Sequence, residues 1–190
     1  MNAPFFRTAS GADHIFGRQT DINIGDIATA LSRIPRFNGH TIRPYPVAAH
    51  SLWVSRAILK ETGDVMHALG GLMHDAHEAY VGDMATPVQQ YVFGSGWPSR
   101  WKIVTEELDH CIADALALPH WWRTSGEVVA HFDRLALRAE WRELMPGREP
   151  AEFENIGLCA DSLVDVTDCR AAFLSTFHDL RVRVDVENRK

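Results

Sequence analysis

Residues 70–87, GGLMHDAHEAYVGDMATP, concentrate more chemistry than any other part of the chain. His74, Asp75, His77, Glu78 and Asp83, with His67 just upstream, sit in an otherwise apolar, Ala-rich segment. Burying imidazoles and carboxylates together is costly unless a cation lies between them. The adjacent pair His74-Asp75 is therefore read as the middle of a divalent metal site. On a helix over residues 64–80, His74 and Glu78 are four apart and Asp75 and Glu78 are three apart, so they share a face. The competing reading is a solvated polar face on a surface helix. Leu72, Met73, Ala76, Ala79 and Tyr80 leave little polar arc for it.

A metal needs further ligands. His50 falls among Val47, Trp53 and Val54 on the apolar face of the preceding helical segment, where a lone histidine is more often core than ligand. Asp133, in VVAHFDRLALRAEW, has Val129, Ala130, Ala136 and Leu137 as same-face neighbours. A carboxylate there needs a partner, either Arg134 or Arg138 or a cation. Taken together, His50, His74, Asp75 and Asp133 make a set of two imidazoles and two carboxylates. Such a set suits a first-row divalent ion with open water positions better than a closed structural zinc site.

The elements that must position these residues read as helices. Residues 26–34 carry Ile27, Ala30, Leu31 and Ile34 at helical spacing, and Pro35 ends the run. The segment 36–46 is a loop holding Arg36, Phe37, His40 and Arg43, with a turn signal at Asn38-Gly39. Helices are expected from Pro46 to Gly63, over 64–80 with Asp64 as cap, over 85–92, 98–118 and 126–144, and finally over 161–180. Residues 1–20 read as a loop or arm, and the tail RVRVDVENRK as frayed. The expectation is an all-α helical bundle of six or seven helices. It forms one domain over residues 1–190, with its core at about 27–145.

Composition narrows the function classes. The chain has 190 residues, 46% of them hydrophobic, which is ordinary for a globular domain. No apolar run reaches the roughly 18 residues of a membrane span, and the N-terminus lacks the pattern of a secretory signal. Three widely spaced cysteines outside any CxxC arrangement point to reduced thiols and a cytoplasmic location. A net charge of −6 argues against general nucleic-acid binding but not against a small anionic substrate.

The order PVAAHS, HDAHEA and HFDRLALRAEW resembles the HD-domain metal-dependent phosphohydrolase superfamily. GLMHDAHEAYVGDMATPV with RFNGHTIRPYPVAAHS is similar to its small single-domain branch, which includes bacterial 5′-deoxynucleotidases and phage dATP triphosphohydrolases. The resemblance implies an HD-domain-like bundle in which His50, His74, Asp75 and Asp133 hold a divalent metal (Mn, Co, Zn, Fe or Mg). It assigns Glu78 to proton transfer and Asp83 to a second acidic position near the substrate. It places the nucleotide at Arg36 and Phe37, with His40 and Thr86 in matching segments. Relatives often carry a Lys after the Thr-Pro pair, where this chain has Val88-Gln89-Gln90. A triphosphate would then draw cations from residues such as Arg43, Arg100 or Lys102. The implied activity is hydrolysis of the 5′-phosphoester of a small-molecule deoxynucleotide, by a homo-oligomer; Trp121-Trp122 would suit an interface or equally pack at a helix end. The alternatives are a phosphodiesterase or alarmone hydrolase of the same superfamily, and a non-catalytic metal- or nucleotide-binding module.

Overall fold

The structure is a computed structural model. It describes residues 5–16, 21–94, 100–157, 162–165 and 167–189, with the side chains of 121–124 left aside. The described residues form an all-α bundle with one small two-stranded sheet, as the helical periodicity leads one to expect.

The helices are α1 (Ile24–Leu31), α2 (Val47–Thr62), α3 (Val65–Met73), the single turn α4 (Glu78–Val81), α5 (Thr86–Phe93), α6 (Arg100–Ala115), α7 (Trp121–Leu144) and α8 (Cys169–Glu187). Local chemistry sets their ends. Asn23 accepts the Asp26 N–H at the start of α1, and Asp64 accepts the His67 N–H at the start of α3. Gly63, at φ 70°, lets α2 stop and α3 begin two residues later.

Helix α2 is central, packing against α3, α7 and α8. It is buried on nearly every side from Val47 to Ser55, which is why its hydrophobic pattern covers more than one stripe. One contiguous core joins Ile27 and Leu31 of α1, Leu52 and Ile58 of α2, Leu69 and Leu72 of α3, Phe132 and Ala136 of α7, and Phe173 and Phe177 of α8. Helices α2 and α3 approach closely at Gly71. A Cβ there would lie 2.7 Å from Ile58 Cδ1 and 3.2 Å from Val54 Cγ1. The glycine that helix propensity disfavours is thus what lets α2 and α3 touch.

Four sequence expectations change. Residues 5–7 and 13–15 pair as antiparallel strands β1 (Phe5–Arg7) and β2 (Asp13–Ile15) rather than forming a loose arm. Ser10 ties the hairpin down by donating its N–H and hydroxyl to Asp26. Its inner face stacks Phe6 and the buried His14 near Tyr80 of α4, with His14 and Tyr80 ring centroids 4.4 Å apart. Next, the helix expected over 64–80 is interrupted. Between α3 and α4 the chain makes i→i+3 bonds, including Ala76 N–H to Met73 O and Glu78 N–H to Asp75 O, so the segment tightens into a 3-10-like turn.

The last helix begins at Cys169 and continues to Glu187 through the tail expected to fray. Phe173, Phe177, Leu180 and Val184 keep a helical stripe on the core, which holds the polar tail in register. Finally, α7 begins at Trp121, ahead of the expected 126, so Trp121-Trp122 belongs to a helix; their side chains lie outside those described. Helix α5 has no buried residue and leans on α6 through Phe93 stacked on Trp101. Among the described residues no helix is long and apolar enough to cross a membrane.

Candidate metal centre

The tight turn after α3 delivers His74 and Asp75 to the point where α2 and α7 meet. His50 Nε2 lies 3.3 Å from His74 Nε2, 3.6 Å from Asp75 Oδ2 and 3.1 Å from Asp133 Oδ1. His74 Nε2 lies 3.2 Å from Asp75 Oδ2 and 3.9 Å from Asp133 Oδ1. An ion with bonds of about 2.1 Å would set ligand atoms about 3.0 Å apart at right angles and about 3.4 Å apart in a tetrahedron. His50, His74 and Asp133 therefore converge at spacings that fit one divalent cation, and Asp75 lies 3.6 Å and 3.2 Å from the two imidazoles while also grouping with His77 and Glu78. Asp133 pairs with His50 rather than with Arg134 or Arg138, and Arg138 is engaged by Glu149 and the Ile156 carbonyl.

Both imidazoles are held from behind. His74 donates Nδ1–H to the Gly71 carbonyl at 2.8 Å, and His50 Nδ1 lies 2.6 Å from Glu140 Oε1. Each ring thus turns Nε2 to the common point, the arrangement in which an outer carboxylate or carbonyl fixes a ligating histidine. Glu140 is fully buried and also accepts from Arg36 Nη2 at 3.1 Å. Arg36 in turn reaches Asp83 at 3.5 Å. Sequence reasoning passed over Glu140. The available signal was its position seven residues after Asp133, two helical turns along the same face of α7. The His77 partner was also unread: His77 Nδ1 meets Asp109 Oδ1 of α6 at 3.0 Å.

Electrostatics reflect a crowd of charge in little water. Burial and Arg36 pull His50 down, but Glu140 and Asp133 outweigh them and hold its pKa up at about 10. His74 is likewise raised, because Asp75 and Asp133 overcome its burial. Burial pushes Asp75 up, yet His74, His50 and Arg36 together hold it well below the usual carboxylate range. Glu78 goes the other way. Burial, then Asp75 and Asp83, push its carboxyl up to about 10. It is 9% exposed, and its Oε2 has no hydrogen-bond partner. Asp75, His77 and Glu78 also bring ligand-capable atoms within 4.8 Å of one another. The result is a buried His/Asp cluster able to hold a metal ion, with an acid beside it.

The other expected site residues divide. Arg36 is nine-tenths covered and joins the cluster through Glu140 and Asp83. Phe37 is half-buried, with the Arg36 guanidinium 5.7 Å above its ring and Trp141 edge-on at 6.0 Å. Phe37 and Asn38 both adopt left-handed backbone, at φ 53° and 52°, a strained geometry for a phenylalanine that costs about 1–3 kcal/mol. His40 and Thr86 are exposed, and no hydrogen bond or ion pair joins either side chain to the cluster among the described residues. Arg43 lies over the Tyr45 ring, and Lys102 pairs with Glu106 at 3.4 Å.

No protein-family model matches the chain. It is similar to the Escherichia coli protein YfdR, described as uncharacterized, at 33% identity over 142 residues, which is 74% of this chain and 72% of YfdR. It also resembles an uncharacterized protein of Rhodobacter capsulatus at 40% identity over 81 residues, 40% of this chain and 41% of that one.

Proposed function

The chain belongs to the family of Escherichia coli YfdR, and we propose that it is a divalent-metal-dependent phosphohydrolase acting on the 5′-phosphoester of deoxynucleotides. The observation that carries this reading is the convergence of His50, His74 and Asp133, with Asp75 against both imidazoles and the buried Glu78, whose Oε2 has no hydrogen-bond partner among the described residues, beside Asp75. The HD-like order of these residues supports the same class. Products would be the nucleoside with phosphate from a monophosphate, or with triphosphate from a triphosphate.

The two-imidazole, two-carboxylate set favours Mn, Co, Fe or Zn over Mg, which prefers all-oxygen surroundings. When bound, the ion supplies Lewis-acid polarisation of a phosphate oxygen and a lowered water pKa. His50 and His74 would hold it, their rings fixed by Glu140 and the Gly71 carbonyl. Glu78, its proton retained by burial and neighbouring carboxylates, is placed to protonate the leaving 5′-oxygen. Arg36 offers a planar fork to the phosphate, steadied by Glu140 and Asp83. Asp133 has 43% of its side chain exposed and marks the side open to solvent.

The deciding experiment incubates purified protein with Mn or Co and a panel of dNMPs and dNTPs, and identifies the products. Release of phosphate or intact triphosphate, abolished by Asp75→Ala, is the expected result. Full activity in Asp75→Ala, or nucleotide retention without turnover, would sink the reading.

A further inference from the structure

The loop that carries Arg36 has a second side. Pro35 and Pro46 pair as a backbone bridge at its neck, and the Arg36 N–H donates to the Tyr45 carbonyl at 2.9 Å. The Arg36 side chain leaves this neck towards Glu140 and Asp83. Pro35, Tyr45 and Pro46 instead line a cavity of about 670 Å³, and none of the metal-set residues lines it.

Among the described residues three arginines line this cavity: Arg33 from just beyond α1, Arg43 from the loop and Arg170 from the first turn of α8. Among the described residues its lining carboxylate is Asp168, which caps α8 by accepting the Ala171 N–H at 2.9 Å. The cap already satisfies the helix end, so the guanidiniums are what make the cavity electropositive in a chain of net charge −6. Arg170 is steadied by donating Nε–H to Thr29 Oγ1 at 2.8 Å, and Arg43 is steadied over the Tyr45 ring at 5.8 Å. Tyr45 is 1% exposed and its hydroxyl has no hydrogen-bond partner. Pro44 and Ile42, which is 69% exposed, add an apolar wall. The volume lies within the roughly 300–1,000 Å³ of small-molecule sites.

We propose that this cavity is a second binding site, separate from the metal centre, for a phosphorylated small molecule of nucleotide size. Arg33, Arg43 and Arg170 take the phosphate groups as planar forks, and the prolines and Ile42 face the apolar part. Its occupant presses on the neck from which Arg36 departs, so binding there bears on the metal centre. That last link rests on the proposed function; the site itself does not.

Cys169 lines the cavity and serves as reporter, with Cys111 of α6 as internal control. In the full-length protein, pyrophosphate or a deoxynucleoside diphosphate is expected to slow alkylation of Cys169 about tenfold at roughly tenfold excess over its Kd. Cys111 should react unchanged, as read by peptide mass spectrometry. Protection should persist in Asp75→Asn. It should need at least about tenfold more probe in Arg33→Glu, and more again in Arg33→Glu/Arg43→Glu, since each lost charge-assisted contact is worth about a factor of ten. Circular dichroism checks that each variant folds. No protection of Cys169, or protection that survives both charge reversals, overturns the site. Protection lost in Asp75→Asn puts the probe at the metal centre and overturns it too. Protection without any nucleotide hydrolysis would remove the proposed activity and leave this site standing.

Discussion

Glu140 carries two duties in one buried carboxylate: it fixes the His50 ring and anchors Arg36. Replacing it with Ala leaves His50 without its orienting acceptor and Arg36 with Asp83 alone. Breaking a buried ion pair from one side costs about 3–5 kcal/mol. Losing the carboxylate behind a ligating histidine weakens metal binding about 10- to 100-fold. Glu140→Ala is therefore expected to melt well below the wild type and to bind Mn weakly in calorimetric titration; unchanged affinity would show that Glu140 does not orient His50. The four ligand residues were legible because carboxylates and imidazoles on apolar faces stand out one at a time. Glu140 carries the same kind of signal, with Ala136, Leu137 and Leu144 three and four residues away, but nothing near it in the sequence names the group it serves. Only the fold brings Arg36 to it from 104 residues away.

At the scale of elements, the α2–α3 contact depends on a missing side chain. Gly71→Ala would push a methyl to 2.7 Å from Ile58 Cδ1 and is expected to cost about 1–3 kcal/mol in denaturant melts. Ile58→Val removes that very carbon, so the double variant should be more stable than Gly71→Ala alone. The hairpin offers a second test. Burial raises the Asp26 carboxyl, but hydrogen bonds from Ser10, Thr8 and Asn23 outweigh it and hold the pKa below the ordinary value. A lowered folded pKa gives stability that is present above the unfolded pKa, about 3.9, and is lost as pH falls through the folded value. Asp26→Asn should thus melt lower than wild type at neutral pH, with the gap closing in acid. A gap constant with pH would mean that Ser10 is not bound to a charged carboxylate. The long helices were readable from periodicity and caps. The three-residue strands were too short to show alternation, and the turn at His74–His77 was hidden because its residues are all acceptable in a helix.

For the whole molecule, the ion is expected to act as a folding ligand. At about 100 times its Kd, a ligand that binds only the folded state adds about 2.7 kcal/mol, or roughly 5–10 °C in melting temperature for a domain of this size. Mn or Co should raise the melting point by that amount after chelation, and should do nothing for Asp75→Asn; an equal rise in both would point to binding elsewhere. The all-α architecture was legible because a strong 3.6-residue pattern recurs in most segments. What was not legible is how far the last helix runs, since within the charged tail Val184 is the residue that continues the buried stripe of Phe173, Phe177 and Leu180. The ligands themselves are scattered along the chain, with 24 residues separating His50 from His74 and Asp133 contributed by α7 much later. A bound ion is therefore a reversible cross-link closing two long loops, and closing loops narrows the freedom of the opened chain. Amide exchange should slow in α2, α3 and α7 together when metal is added, as one cooperative block, while β1 and β2 exchange at their former rate.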